Sequence, residues 1–577
     1  MSLTDTDKRF CSILFDVMKE NGVKDVVCSP GSRNAPLLIA AASRDELKKH
    51  IVTDERSAAF MALGMALVSR RPVALICTSG TALLNYGPAV AEAYYQGVPL
   101  IVISADRPEQ WIDQDDSQTL RQEEALKNFV KKSYSLPAWG DDDKELRWYA
   151  NRISNDAMAE ATGGKPGPIH INVRLGEPLG RKIPVTKGEE RVIKVIEADS
   201  IGNKEIIKEL GQRLSKSKVM LVAGFMAPDS ILQKAVGSFV KFPNVAVMAE
   251  TLSNLHLEED DYSVDSVLTA YSEDELDKYA PDIVISIGGA LVSRKLKEYL
   301  RRNSGKCEHW SIGRTHTTTD CFMALRLRIE TEIARFFRNI TRVISKVGSD
   351  SSVSGYKTHW KQLREAAGKI KQDYIDRSGW SELKAFDILL NNLDRQNNLF
   401  LSNGTPVRYA QIIKYKLPHA SYCNRGVSGI DGSVSTAVGA AKAYKEGCVI
   451  ITGDLSMSYD IGSLALPEIP DRMKIIVIDN QGGGIFRFIP STSGLEEREE
   501  YFCGTPNLPL KELAEGYGFD YFEAKDEESL HKNLERLQQC SRKAIMRIVC
   551  DGEISAEKLK GFMNCRVIKL STEKKEI

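Results

Sequence analysis

Two strand-like runs in the last third of the chain each end in an oxygen-bearing side chain. The first reads Cys448-Val-Ile-Ile-Thr-Gly453-Asp454-Leu455-Ser456. The second, after a helix-sized interval, reads Lys474-Ile-Ile-Val-Ile-Asp479-Asn480-Gln-Gly482-Gly-Gly-Ile485-Phe486. In a parallel sheet such ends can lie side by side. A carboxylate, an amide oxygen and a backbone carbonyl such as that of Gly482 then suit a hard, octahedral Mg²⁺ whose remaining ligands are phosphate oxygens. A helix opening at Ser456 would offer free N–H groups to the same phosphates. Taken alone, Gly-Asp after a strand is more often a plain turn or a helix cap.

Arginines recur where one element gives way to the next: Arg33 after Ser32, Arg107 in Ser104-Ala-Asp-Arg-Pro, Arg408 in Asn403-Gly-Thr-Pro-Val-Arg, and Arg425 in Asn424-Arg-Gly-Val-Ser-Gly-Ile430. Any one of them reads as a surface ion pair. Several guanidiniums in one cleft would be costly without polyanionic ligands, and their fork geometry matches carboxylates, so substrates with more than one carboxylate are expected. Arg294 and Lys295 would add cations from the middle of the chain, or simply begin a solvated helix. Glu55 opens the small-residue run Ser57-Ala-Ala-Phe-Met-Ala-Leu-Gly-Met-Ala-Leu. By itself it is an acid stabilising a helix N-terminus.

Positioning these residues requires strands that alternate with helices. Apolar runs at Lys24 to Cys28, Ile51 to Thr53, Val73 to Thr78 and Leu100 to Ala105 read as strands, and Pro36 to Ala42, Ser57 to Val68 and Ala82 to Tyr95 as helices. Past a Gly-, Pro- and charge-rich stretch around Arg174 to Ser200, strands resume at Val219 to Ala223, Val245 to Ala249 and Ile283 to Ile287, with a helix near Ser230 to Val240. Thr341 to Gly355 reads as a linker. A third series has strands at Asn398 to Ser402, Val449 to Thr452 and Lys474 to Ile478. The expectation is an α/β chain of three consecutive domains with mainly parallel sheets, 1–185, 186–345 and 346–577, whose ligands bind where strands end.

Composition narrows the function. With 577 residues, 42% of them hydrophobic, a disordered or fibrous chain is excluded. Lys+Arg and Asp+Glu both number 78, so no global field draws the chain to nucleic acid or an acidic membrane. The polar start argues against a secretory signal, and eleven cysteines without a C-x-x-C pair indicate neither a disulfide framework nor a zinc ribbon, so a reduced, cytoplasmic protein is expected. No P-loop, no H-E-x-x-H and no strict G-x-G-x-x-G is present.

The spacing of Gly453-Asp454-Leu455 and Asp479-Asn480 resembles the thiamine diphosphate fingerprint, Gly-Asp-Gly followed by Asn-Asn. Cys28-Ser-Pro-Gly-Ser-Arg-Asn-Ala-Pro, Thr53-Asp-Glu-Arg-Ser, Cys77-Thr-Ser-Gly80-Thr-Ala, Asn424-Arg-Gly-Val-Ser-Gly-Ile-Asp and Gly-Asp-Leu-Ser extend the likeness to the whole chain. It resembles the 2-succinyl-5-enolpyruvyl-6-hydroxy-3-cyclohexene-1-carboxylate synthases of menaquinone biosynthesis. That resemblance implies a thiamine diphosphate-binding fold with pyrimidine-binding, central and diphosphate-binding domains. It implies decarboxylation of 2-oxoglutarate and conjugate addition of the succinyl unit to isochorismate. It further implies thiamine diphosphate with Mg²⁺ or Mn²⁺ on Asp454, Asn480 and Gly482, and cofactor contacts from Gly80, Ile430, Gly453, Leu455, Ser456 and Ile485. Glu55 would serve the aminopyrimidine of cofactor held by a partner chain, in a homodimer or homotetramer. Arg33, Arg107, Arg408, Arg425, Arg294 and Lys295, with Ser32 and Gln118, would hold carboxylates beside an apolar wall of Ile485, Phe486 and Ile489.

Two departures stand out. Gly404 replaces a serine that the family often has before the arginine matching Arg408, and Asp115-Asp116 replace small residues ahead of Gln118. A different thiamine-dependent 2-oxo-acid decarboxylase or carboligase is the alternative enzyme, and a catalytically silent scaffold or cofactor sensor the alternative class.

Overall fold

The computed structural model describes residues 4–138, 144–185, 190–195, 204–257 and 262–567. The expected domain break at 185/186 adjoins residues outside that range, and the polar tail from 570 onward lies beyond it. Among the described residues three sheets, of six, five and six strands, account for all strands but two. Every pairing within the three is parallel, whereas Thr4–Thr6 and Lys182–Pro184 form a small antiparallel ribbon. The expected α/β architecture with mainly parallel sheets is therefore present.

The third sheet runs Ala420–Tyr422, Asn398–Leu401, Cys448–Gly453, Met473–Asp479, Ala544–Val549 and Asp520–Ala524 in spatial order. Its side chains alternate between two cores, as a strand's period of two requires. Val449, Ile451, Ile476 and Ile478 join a core shared with the middle sheet. Cys448, Ile450, Ile475 and Val477 face the other way, onto the helices Glu55–Ser69 and Ser433–Ala443.

Those two helices fasten the first unit to the last. A Cβ on Gly64 would stand 1.8 Å from the Thr436 carbonyl oxygen, and one on Gly439 2.0 Å from that of Met61. Backbone therefore touches backbone, and only glycine fits at either crossing point.

Several elements differ from expectation for identifiable reasons. The strand expected at Ile51 to Thr53 is Lys48–Ile51, a polar edge strand, because Asp54 caps the next helix by accepting from Arg56 and Ser57 N–H. The helix expected over Ala82 to Tyr95 is two, Ala82–Asn85 and Gly87–Gln96, parted at Tyr86 with Pro88 opening the second. The expected linker at Thr341 to Gly355 begins inside the helix Ile333–Val347, whose apolar face includes the buried Ile340 and Ile344. The next helix, Tyr356–Arg377, follows the expected boundary at 345 but packs Tyr356 and Trp360 against Leu276 and Tyr299 of the middle unit. Among the described residues no helix is long and apolar enough to cross a membrane.

Candidate active site

Pairing of Cys448–Gly453 with Met473–Asp479 sets Gly453 opposite Ile478, so both strands deliver their following residues to one edge of the sheet. Asp454 begins a short helix and is nearly buried. Its carboxylate accepts from the N–H groups of Leu455 at 2.7 Å and Gly482 at 2.8 Å. Gly482 can meet it because φ is +112°, a left-handed backbone where a Cβ would also strike the Cys503 carbonyl oxygen at 2.3 Å. Its carbonyl accepts from Gly484 N at 2.9 Å and keeps a second lone pair. Asp454 and Gly482, two of the three expected metal ligands, are thus brought from separate segments to one edge of the sheet.

Asn480 completes the group. Its Nδ2 donates to Glu382 Oε1 at 2.6 Å, and its Oδ1 is buried without a partner. An orphaned acceptor beside a buried carboxylate is what a hard cation would satisfy. Burial drives the Asp454 carboxyl upward, opposed by the Gly482 N–H and reinforced by the charge of Asp479; a cation would reverse that balance. Among the described residues no three His, Cys, Asp or Glu side chains gather into a metal cluster. The fit is therefore to a metal held by one carboxylate, one amide and one carbonyl, with the remainder supplied by a ligand's phosphates.

The surroundings hold this edge in place. Arg487 is buried and donates to the carbonyls of Asn480 at 2.8 Å and Gln481 at 3.0 Å, balanced by Glu499 at 2.7 Å. Ser456 Oγ donates to the Ile430 carbonyl at 2.6 Å, so the residue expected to support the cofactor is fastened to the diphosphate-side helix. Glu92, from the first unit, accepts from Gly426 N at 2.6 Å and Val427 N at 2.7 Å and so fixes the Arg425 loop. Ile485 opens the helix Ile485–Phe488, Phe486 packs on Phe502 with ring centroids 5.9 Å apart, and Ile489 follows; all three are half-buried.

The arginines fall into two clusters. Arg33 is buried, donates to the Leu175 carbonyl at 3.0 Å and pairs with Glu177 at 3.2 Å. Burial lowers its proton affinity, and the nearby charge of Arg107 lowers it further. Arg107 pairs with Asp116 at 2.6 Å, while its Nε is buried and unpartnered. Gly80 and Gln118 lie beside them: Ser79 Oγ donates to the Gln118 carbonyl at 2.9 Å, and Gly80 N donates to Gln122 Oε1 at 2.7 Å. Ser32 is exposed.

Arg425 donates to Asn403 Oδ1 at 3.0 Å and repels Arg408. Arg408 is open to water yet flanked by protein on most sides, and burial followed by the Arg425 charge brings it down to about 10. Two carboxyls of the middle unit face this cluster. Glu250 accepts from Val292 and Ser293 N–H, and burial pushes it up to about 7; Asp265 accepts from the Ser293 hydroxyl and is pushed up to about 6. The Lys295 and Arg408 charges act on Asp265. Arg294 lies on the exposed face and pairs with Glu298 at 2.7 Å, as Lys295 does at 3.1 Å.

Among the described residues no hydrogen bond or ion pair joins Glu55 to Asp454 or Asn480 within the chain. Glu55 is half-buried at the start of its helix, and its charge is felt instead by Cys77 and Tyr86 of the first unit. The inward-facing acids Glu382, Glu92 and Glu250 were not anticipated from sequence. The available signal was a lone acid within an apolar run, as in Ala91-Glu92-Ala93.

Comparison with known proteins agrees with this geometry. The family described as thiamine pyrophosphate enzyme, N-terminal TPP binding domain, matches residues 8–125, and the C-terminal TPP binding domain matches residues 403–548. A Porphyromonas gingivalis protein named 2-succinyl-5-enolpyruvyl-6-hydroxy-3-cyclohexene-1-carboxylate synthase is 41% identical over 91% of this chain and 91% of its own. Proteins of the same name from Flavobacterium johnsoniae and Christiangramia forsetii are 37% and 36% identical, over 91% and 94% of this chain and 92% and 96% of theirs.

Proposed function

This chain belongs to the 2-succinyl-5-enolpyruvyl-6-hydroxy-3-cyclohexene-1-carboxylate synthase family of thiamine diphosphate enzymes, and we propose from that premise how its residues divide the work. The reaction is decarboxylation of 2-oxoglutarate and conjugate addition of the succinyl unit to isochorismate, a step of menaquinone biosynthesis. The observation that carries the assignment of roles is the unpartnered Asn480 Oδ1 beside the Asp454–Gly482 hydrogen bond.

Thiamine diphosphate supplies the electron sink for the decarboxylation. Asp454, Asn480 and the Gly482 carbonyl would hold Mg²⁺ or Mn²⁺ for the cofactor, with Gly453, Leu455 and Ser456 lining the same turn. Ile430 would support the cofactor. Glu55 would supply the carboxyl that exchanges a proton with the aminopyrimidine ring. Arg33, Arg107, Arg408 and Arg425 bind the carboxylates of both substrates, with Ser32, Gln118, Arg294 and Lys295 at the approach. Ile485, Phe486 and Ile489 would keep water from the reacting carbon, and Gly80 would contact the cofactor.

The family resemblance, in which Glu55 serves cofactor held by another chain, assigns the complete site to two chains, in a homodimer or a pair of dimers. Three units, 1–185, 186–345 and 346–577, and a cytoplasmic location complete the proposal. The decisive experiment follows isochorismate absorbance with thiamine diphosphate, Mg²⁺ and 2-oxoglutarate, each omitted in turn. Loss that needs all of them, with one CO₂ released per adduct, is expected. CO₂ release with isochorismate intact would mean another acceptor, and no change despite bound cofactor would mean a silent protein.

A further inference from the structure

Glu382 is an acid with no place in the roles assigned so far, yet it is among the most enclosed charged side chains of the molecule, 2% exposed. It stands at the start of the helix Glu382–Asn392, and both carboxylate oxygens are used: Oε1 accepts from Asn480 Nδ2 at 2.6 Å and Oε2 from Thr405 Oγ1 at 2.8 Å. Its own N–H donates to Ser555 Oγ at 3.0 Å. Among the described residues no salt bridge neutralises it. A carboxylate is an acceptor only, so it can face the amide nitrogen of Asn480 but not the amide oxygen. The opposite edge of that amide, Oδ1, is then left without a partner although Asn480 is 4% exposed. Gly484 crowds the same amide, since a Cβ there would stand 2.2 Å from Nδ2.

We infer that Glu382 is a positioning residue for the metal: it locks the Asn480 amide with its oxygen presented to the cation, and through Thr405 it ties that ligand to the segment bearing Arg408. The inference rests on the metal-site assignment above. It makes the short helix Thr405–Tyr409 and the metal share one buried carboxylate, so the cation and a substrate-binding arginine are set by the same side chain. Outer partners of this kind govern how well a ligand is aimed.

The test measures Mn²⁺ uptake by the full-length protein at saturating thiamine diphosphate, from loss of the free-ion electron paramagnetic resonance signal. Glu382→Met keeps volume but loses the acceptor, and metal affinity should fall about 10- to 100-fold. Glu382→Gln can still accept from Asn480 through its amide oxygen while donating to Thr405, and should stay within about threefold of wild type. Ser555→Ala removes a buried bond to the Glu382 backbone without turning the Asn480 amide, and should lower the melting temperature while leaving Mn²⁺ affinity unchanged.

Equal loss in Ser555→Ala and Glu382→Met, or wild-type affinity in Glu382→Met, overturns the proposal. Should Glu382→Met fail to fold, Glu382→Gln still decides: a loss above about tenfold contradicts orientation by acceptance, and retention supports it. If wild-type protein takes up no Mn²⁺ with the cofactor, the metal site itself fails and this proposal with it.

Discussion

Asp116 lies on Arg107, carboxylate to Nη1 at 2.6 Å, so the chain supplies its own anion to an arginine assigned to substrate. Around it Asp113, Asp115 and Ser117 all have positive φ, a backbone that side-chain-bearing residues seldom adopt. Glu177 does the same for Arg33 at 3.2 Å. With Arg33 and Arg107 in the substrate-binding role proposed for them, a substrate carboxylate would displace these partners. Because the pair is partly exposed, its strength is modest, about 0.2–1 kcal/mol. Asp116→Asn should therefore lower KM for the carboxylate substrate about two- to fivefold with kcat nearly unchanged. Steady-state kinetics with each substrate varied would check it, and a raised KM would show that Asp116 shapes the loop instead.

Replacing Glu55 with Gln should cut turnover by at least about a hundredfold while cofactor affinity and melting temperature stay near wild type. The two-chain site can be examined by mixing this variant with Asp454→Ala under conditions that exchange subunits. A symmetric dimer then regains one intact site per mixed pair, about a quarter of wild-type activity across the population. Two inactive proteins that stay inactive after proven exchange would place Glu55 and Asp454 in the same chain's site.

Gly439→Ala and Gly64→Ala each drive a methyl group into a backbone carbonyl, where no side chain can yield. Overpacking of this sort costs about 1–3 kcal/mol or more. Gly368, in the helix Tyr356–Arg377, has open space within 4 Å of where a Cβ would stand. Gly368→Ala should stabilise by about 0.5–1 kcal/mol. Chemical denaturation of the three variants, side by side, reads out the contrast.

His170 is fully buried, bonded through Nε2 to Ser104 Oγ at 2.7 Å, and burial pulls its pKa down to about 4. The folded pKa lies below the unfolded value of about 6.5, so the stability held by neutral His170 is full above that value and is lost as pH falls toward 4. The loss amounts to about 3 kcal/mol. Glu250, Asp265 and Asp460 have raised pKa values and act in the opposite sense, gaining stability as pH falls from about 7 to 6 toward their unfolded values of about 4. The difference between wild type and His170→Asn isolates the histidine: the variant should lose less stability between pH 6.5 and 4. An identical pH slope in both proteins would exclude His170 as the source.

Asp454 and Asn480 were legible because each ends an uninterrupted apolar run, and a parallel sheet brings such ends together without further information. Arg33, Arg107, Arg408 and Arg425 were legible as residues at junctions, but not as two clusters, because their grouping depends on how three sheets stack. Glu382 was not legible at all. An acid at a helix start has the same local signature whether it faces water or a buried amide, and only the packing of that helix against the strand ends distinguishes them. The same limit applies to Ile333–Val347, whose polar last turn reads as linker until its buried face is seen, and to Ser133–Leu136, whose alternating serines hide a strand.

The glycine crossing also sets a schedule for biosynthesis. The helix that carries Gly64 leaves the ribosome about 375 residues before the one that carries Gly439, which at ordinary translation rates is roughly 20 to 75 seconds. Throughout that interval Ala58, Met61 and Met65 have no partner surface from the last unit, and the first unit's own strands and helices cover only part of their apolar helix. The first third of this chain is therefore expected to depend on a chaperone while it waits, and ribosome-bound chains halted before Ser433 should capture one where chains halted after Ala443 release it.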